Sequence, residues 1–309
     1  MKRVSIGGQA VLEGIMMKGP DSYALSVRKT DHEIEVITTP YISFGERSKL
    51  GQIPIVRGVI NFIESLYIGM STLMKSAEYF EDEEEDASKS EETKKKESDK
   101  GYLILTLIVS LVFAIGLFVL LPSFLANFLY KVTSSDLLVN AAEGVLRMII
   151  FLLYIYFVSK MKDIRRTYMY HGAEHKTINC MEAGMDLTVE NVKKASRFHR
   201  RCGTSFLFIV MIISILVFMF IKTDVMWLRL LSRLLLIPVI AGISYEFLRY
   251  AGKHDNKCSR MLSWPGVMLQ RLTTIEPEDD MIEVAIRSVE AVMDWKEYVK
   301  CVREDSFEK

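Results

Sequence analysis

Four long apolar segments constrain what this chain can fold into more than any other feature of its sequence. They cover residues 102–121, 143–160, 204–221 and 227–248, and half of all residues (50%) are hydrophobic. A helix needs about 20 predominantly apolar residues to cross a bilayer, and each segment comes close to that length. The sequence therefore predicts a mainly α fold with a four-helix transmembrane bundle and the lipid bilayer as a partner.

Basic residues around these segments predict the topology. The loop 161–203 is rich in lysine and arginine, whereas 122–142 carries only Lys131 and 222–226 only Lys222. Positively charged loops tend to stay in the cytoplasm. We therefore expect a multi-pass protein of the cell membrane, inner or plasma, with both termini in the cytoplasm.

Three arginines lie within the predicted spans: Arg147 in the second, and Arg229 and Arg233 in the fourth. A charge in lipid is costly unless its side chain reaches the interface or pairs inside the bundle. Together with Glu246, these arginines form a candidate buried network. Residues 123–140 are expected to form a short amphipathic piece between the first two spans.

The rest of the chain divides into parts outside the bilayer core. Residues 1–48 are predicted to form a small β-rich N-terminal cytoplasmic module, because YALSVRK and EIEVITT are rich in β-favouring residues on either side of a polar turn. Residues 49–80 favour an amphipathic, interfacial helix, and the charged run 81–100 favours a disordered linker. The membrane domain takes 101–250, including the cytoplasmic loop 161–203, and a cytoplasmic helical tail takes 251–309.

The stretch YHGAEHKTINCME, residues 170–182, follows the second span. On a helix, His171 and His175 share one face, with Glu174 beside them. This H-x-x-E-H order is the inverted form of a zinc-peptidase motif, in which two imidazoles bind zinc and the glutamate activates water. Gly172 weakens the helix that this geometry requires. The motif predicts a divalent metal cofactor, with zinc first, and Glu174 as the catalytic general base.

Any further metal ligand has to come from another part of the sequence, since zinc takes three or four nitrogen, oxygen or sulfur ligands. Glu182 returns to the same helix face two turns later. Spans two, three and four end at one predicted membrane surface, which brings His199 and Glu246 within reach of the motif. Cys202 and His254 are further candidates on the same segments. The sequence alone leaves the choice among these residues open.

Several motifs together carry a family resemblance. In GGQAVLEGIMMKGP, YHGAEHKTI, FHRRCGTSF, ISYEFLRYAGK and LQRLTTIEPEDDMIEVAI, the chain resembles the YqhQ-like family. That is a domain-of-unknown-function family of bacterial membrane proteins, often labelled a predicted metal-dependent enzyme. Arg200 stands where the family more often has proline, which changes the local backbone rigidity and removes no candidate ligand. The resemblance implies a membrane protein and points to no substrate.

Two functional hypotheses remain open. In the first, the protein is a metal-dependent hydrolase whose site faces the cytoplasm. In the second, it is a non-enzymatic scaffold or assembly factor that docks a membrane-protein partner, and the histidines are polar anchors. Nucleic acid is not an expected partner, because 39 basic and 39 acidic residues balance to zero net charge. Glu174 favours the first hypothesis, since a polar anchor has no need for a carboxylate beside two histidines.

Overall fold

The computed structural model describes residues 6–85, 105–106, 108–221, 226–254 and 256–307, and it is mainly helical, as predicted. The strands are β1 (Gly7–Val11), β2 (Gly14–Lys18), β3 (Ser22–Arg28) and β4 (Ile34–Pro40). The helices are α1 (Phe44–Arg47), α2 (Val56–Glu85), α3 (Ile108–Lys131), α4 (Asp136–Val158), α5 (Lys162–Glu182), α6 (Val189–Lys194), α7 (Gly203–Met219), α8 (Met226–Lys253), α9 (Lys257–Thr273), α10 (Asp279–Glu290) and α11 (Trp295–Phe307).

The N-terminal strands form one antiparallel sheet in the order β1-β2-β3-β4, which confirms the predicted β-rich segment. The expected hairpin is β3–β4, in which Leu25 pairs with Ile37. A second hairpin, β1–β2, comes from the glycine-rich start of the chain. Its turn holds Glu13 at a φ of 46° directly before Gly14.

The central strands β2 and β3 carry buried residues on both faces of this sheet, since side chains alternate between the two faces along a strand. One face carries Met16 and Leu25, which pack with Ile68 of α2. The other face carries Ile15, which belongs to a core shared with α5 and with Ile282 of α10. The sheet therefore joins α2 on one side to α5 and α10 on the other, and α5 carries the histidine motif.

The chain divides into two compact units. The first takes its described residues from 1–80, 158–210 and 238–309, and it contains the sheet, α5 and the tail helices. The second takes its described residues from 81–157 and 211–237 and is built from apolar helical segments. The predicted linker 81–100 lies outside the described residues, except for its first five positions, which continue α2.

Within the described residues, three helices are long and apolar enough to cross a membrane: α3, α4 and the part of α8 from Leu231 to Ala251. The apolar segment expected at 204–221 forms α7, which has 17 residues and is shorter than these. The four-helix bundle therefore remains a prediction. Residues 123–140 do not form a separate piece, because their first part completes α3 and their last part begins α4.

A buried ion network occupies the second unit. Glu143 is 2% exposed and accepts hydrogen bonds from Arg147 (2.7 Å) and Arg233 (2.8 Å). Arg147 also donates to the carbonyl of Phe118 over 2.9 Å. Pro122, four residues after Phe118, has no N–H with which to satisfy that carbonyl. Arg147 thus donates hydrogen bonds both to the Glu143 carboxylate and to the Phe118 carbonyl, for which Pro122 offers no N–H.

The sequence predicts Glu246 as the acid of this network, whereas the structure has Glu143 there. Glu246 pairs instead with Arg57 of α2 in the first unit, with 2.6 Å between Arg57 Nε and Glu246 Oε1. Glu143 precedes Arg147 by one helical turn, a spacing at which opposite charges meet on a helix. The side chain of Arg229 lies outside the described part of the structure.

Candidate metal centre

Helix α5 presents the two histidines one turn apart, with 4.3 Å between the ring centroids of His171 and His175. The helix continues through Gly172, the residue expected to weaken it. Tertiary contact explains the glycine, because a Cβ at this position would overlap the carbonyl oxygen of Ile275. The Ile275 amide in turn donates to the carbonyl of Tyr168 over 2.9 Å. The segment after α9 therefore crosses α5 in direct backbone contact at the motif.

Each histidine is held by a backbone carbonyl through its Nδ1 atom. His171 Nδ1 lies 2.8 Å from the Thr273 oxygen, and His175 Nδ1 lies 2.7 Å from the Arg197 oxygen. A carbonyl can only accept, so each Nδ1 carries the proton and donates it. In a neutral ring the Nε2 atom is then left with a lone pair. This is the orientation that neighbouring groups impose on metal-binding histidines.

Cys202 brings a sulfur atom to these nitrogens. Its Sγ lies 3.1 Å from His171 Nε2, and one ligand atom each from His171, His175 and Cys202 lie within 4.8 Å of one another. His175 Nε2 is buried and has no hydrogen-bond partner among the described residues. The three side chains therefore form a compact group.

The surroundings of Cys202 ease the loss of its thiol proton, which metal binding requires. The residue directly precedes α7, and the Thr204 amide lies 3.4 Å from its Sγ. Burial alone would raise the pKa of the Cys202 thiol. His175 and the hydrogen bonds from Thr204 together outweigh burial and lower that pKa below its ordinary value.

The ligand set fits zinc in kind, and one of its distances is close to that of a zinc site. Zinc binds imidazole nitrogen at about 2.0–2.1 Å and thiolate sulfur at about 2.3 Å, so a tetrahedral pair stands roughly 3.5 Å apart. A slight widening of the 3.1 Å between His171 Nε2 and Cys202 Sγ reaches that value. Three protein ligands leave a fourth position open, as in catalytic zinc sites.

Glu174 is buried beside this group, 5% exposed, and its Oε2 has no hydrogen-bond partner among the described residues. Burial raises the pKa of the Glu174 carboxyl to about 7, against the opposing effects of His171 and of the Gly8 amide. A carboxyl with this pKa can take up and release a proton near neutral pH. A Cβ at Gly8 would lie 2.8 Å from Glu174 Cδ, so the N-terminal strand touches the motif only because it has glycine there.

Gly8→Ala is expected to lower the free energy of unfolding by about 1 kcal/mol, the low end of the effect of overpacking, because the half-buried glycine meets a side chain and not backbone. The added methyl group would displace the Glu174 carboxylate and its bond to the Gly8 amide. Gly7→Ala is the matched control, since a Cβ at Gly7 meets nothing within 4 Å. Chemical denaturation of both variants in one detergent measures the difference. Equal stability of the two variants would contradict this contact.

Two other predicted ligands lie near the group without joining it. The ring centroid of His199 is 5.7 Å from that of His175. Its backbone is held on both sides by the Gln270 side-chain amide, at 2.8 and 2.6 Å. Glu182 forms an ion pair with Arg201, and its Oε2 lies 3.8 Å from His199 Nε2. His199 and Glu182 therefore form a polar layer next to the cluster.

The remaining predicted ligands are engaged elsewhere. Glu246 is bound to Arg57. His254 Nδ1 lies 3.1 Å from the Tyr250 carbonyl, and its ring stacks on that of Tyr250 at 4.5 Å between centroids. Of the candidates for a third ligand, Cys202 is the one that stands with the two histidines.

The groups that shape this site without a sequence signal are mostly backbone atoms. The carbonyls of Thr273 and Arg197, and the amide of Gly8, belong to no side-chain pattern. Gln270 is fully buried and could be read as one more polar residue of an amphipathic helix. The signal for Cys202 was present, because FHRRCGTSF places a cysteine at the start of an apolar helix.

Comparisons with known proteins agree with the resemblance seen in the sequence. The model of the family described as "Protein of unknown function (DUF1385)" matches residues 53–295. The chain is 40% identical over 286 residues to "Uncharacterized protein YqhQ" of Bacillus subtilis (strain 168), which covers 91% of this chain and 90% of that protein. No solved structure matches. The chain therefore belongs to the DUF1385 family, the family of YqhQ-like proteins.

Proposed function

We propose that the protein is an integral membrane hydrolase that depends on a divalent metal, zinc by its ligand chemistry, bound by His171, His175 and Cys202. The observation that carries the proposal is the fixed orientation of both histidines beside a buried thiol. If the two histidines only anchored α5, their Nδ1 hydrogen bonds to the Thr273 and Arg197 carbonyls would be sufficient. Such anchoring gives no reason for Cys202 to stand with both rings, with one ligand atom from each of the three residues within 4.8 Å of the others.

Glu174 is the proposed proton carrier of the reaction. Its buried Oε2, which has no hydrogen-bond partner among the described residues, suits a group that accepts a proton from water and passes it to a leaving group. A bound zinc ion supplies Lewis acidity to such a hydrolysis. The Gly8 amide holds the carboxylate in place, and His199 with Glu182 forms the adjacent polar layer.

The proposed topology puts this site at the cytoplasmic surface of the membrane, with both termini in the cytoplasm and α3, α4, α7 and α8 as four spans. The basic excess of 161–203 supports that orientation. Cys202 stands one residue before the apolar helix α7, which supports a position at the membrane surface. The module 1–48, the interfacial helix 49–80 and the tail 251–309 then form the cytoplasmic body.

Elemental analysis of the detergent-purified protein tests the metal. Wild type from zinc-replete cells is expected to carry about one zinc ion per chain, and a variant with His171→Ala and His175→Ala to carry none. Glu174→Gln is the matched control, because it changes the motif and keeps all three ligands. It should retain the metal. Thermal unfolding in the same detergent shows that each variant is folded.

A folded wild type without metal, purified gently and without chelators, would overturn the proposal. The motif would then be the polar anchor of α5, and the non-enzymatic scaffold hypothesis would take its place. If metal is present, Glu174→Gln is the variant that separates a catalytic site from a purely structural one, because only a catalytic role requires its proton transfer.

A further inference from the structure

The fold leaves an apolar stripe of α2 exposed. We define this stripe by Ile63, Leu66, Tyr67, Met70 and Met74, whose spacing of three and four residues places them on one helix face. These residues are between 51% and 74% exposed. A group of large exposed apolar side chains marks a surface that a membrane or another molecule covers.

The opposite face of α2 already packs on the sheet, so the core does not need the stripe. Ile68 is buried among side chains of β1, β2 and β3. The Gly69 carbonyl accepts a hydrogen bond from Gln9 Nε2 (3.4 Å), and Ser76 Oγ accepts one from the Leu12 amide (3.3 Å). Helix α2 is therefore apolar on two opposite faces, of which the protein itself uses one.

The first turns of α2 contact helices of membrane-like composition. A Cβ at Gly58 would lie 2.8 Å from the carbonyl oxygen of Gly242, which belongs to the candidate span Leu231–Ala251. Small residues permit such close approach between helices in membranes. Phe62 contacts Phe206 of the apolar helix α7, with 5.6 Å between ring centroids. A bilayer around these two helices therefore reaches α2 as well.

We propose that α2 lies in the plane of the membrane interface and that lipid acyl chains cover its stripe. Helix α9 supports the same placement. Its Gly266 packs against Ser205 at the start of α7, and its Met261 and Trp264 are 75% and 63% exposed. Tryptophan is enriched at membrane interfaces. This lipid surface is independent of the metal site, and so is its test.

Fluorescence quenching of the full-length protein in liposomes tests the placement. Cys258 and Cys301 are replaced by serine, while the buried Cys180 and Cys202 stay in place. This parent protein, carried through the labelling reaction, measures the background from the remaining thiols.

Three single cysteines are then introduced and labelled with the fluorophore NBD. Tyr67→Cys and Met70→Cys lie on the stripe, and Lys75→Cys, exposed and off the stripe, is the matched control. Lipids with a nitroxide near the top of the acyl chain quench labels at the depth of an interfacial helix. We expect quenching at 67 and 70 to exceed that at 75 at least about twofold, because such helices bury their apolar face about 5–10 Å deep.

Equal quenching at all three positions would overturn the proposal, because the stripe would then lie outside the bilayer. A second result would also overturn it: energy transfer between donor-labelled and acceptor-labelled copies at position 67 that persists when lipid is in large excess. That result would assign the stripe to an interface between two copies of this chain.

Discussion

Glu143→Leu is expected to destabilise the protein by about 3–5 kcal/mol, the typical effect of removing one partner from a buried ion network. Glu143 is 2% exposed, and the side chains of Arg147 and Arg233 that it binds are 15% and 11% exposed. Without the carboxylate, two guanidinium groups remain in an apolar unit. Unfolding in SDS measures the change in free energy. The amount of protein in the membrane fraction should fall with it.

Two controls separate lost charge pairing from a change in packing. Ser123→Ala removes two hydrogen bonds of the network, one to Glu143 (2.8 Å) and one from Arg233 (3.1 Å), keeps all three charges, and should cost only about 1–2 kcal/mol. A triple variant, in which Glu143→Leu is combined with Arg147→Met and Arg233→Met, should recover most of the lost stability, since apolar residues often replace a buried ion network without loss. A triple variant as unstable as Glu143→Leu would contradict the electrostatic explanation.

Gly172→Ala is expected to be strongly destabilising, although it adds only a single methyl group. The new Cβ would overlap the Ile275 carbonyl, a backbone atom that cannot turn away as a side chain does. We expect a loss at the upper end of the 1–3 kcal/mol typical of overpacking, or above about 3 kcal/mol. The metal content should fall too. The Thr273 carbonyl that holds His171 lies two residues before Ile275, so a shift of Ile275 would move that carbonyl.

Gly203→Ala is the matched control for this prediction. It lies directly after Cys202, and a Cβ at Gly203 meets nothing within 4 Å. Because alanine favours a helix over glycine by up to about 1 kcal/mol, this variant should be neutral or slightly more stable and should keep its metal. If Gly172→Ala proves as stable as Gly203→Ala, the segment after α9 does not press on α5 as described.

Local features of the fold could be predicted because the residue patterns that determine them lie within short segments of the sequence. The β-favouring residues of YALSVRK and EIEVITT produce the β3–β4 hairpin. The apolar runs correspond to α3, α4, α7 and α8. The i, i+4 spacing of His171 and His175 does place the two rings side by side.

The remaining features depend on which distant segments meet, and composition does not encode that choice. Glu246 and Glu143 are both acids within predicted apolar segments, yet only Glu143 pairs with the buried arginines of the second unit. From the sequence, Gly172 is expected to weaken its helix. Only the structure shows that the Ile275 carbonyl packs against it, which requires a residue without a Cβ. Among the candidate third ligands, Cys202 lies with the two histidines because of where α7 begins relative to α5.

The order in which the site's parts occur along the chain has a consequence for biosynthesis. Gly8 stands near the N-terminus, the histidines and Cys202 in the middle, and Thr273 in the last part of the chain, and all of them belong to the first unit. Synthesis of the first unit is interrupted twice by segments of the second unit. A ribosome that has released residues 1–210 has made His171, His175 and Cys202, but the carbonyl that orients His171 does not yet exist. The proposed metal site is therefore completed only late in synthesis, and a truncated product lacking α9 has the three side chains without the carbonyl that aligns His171.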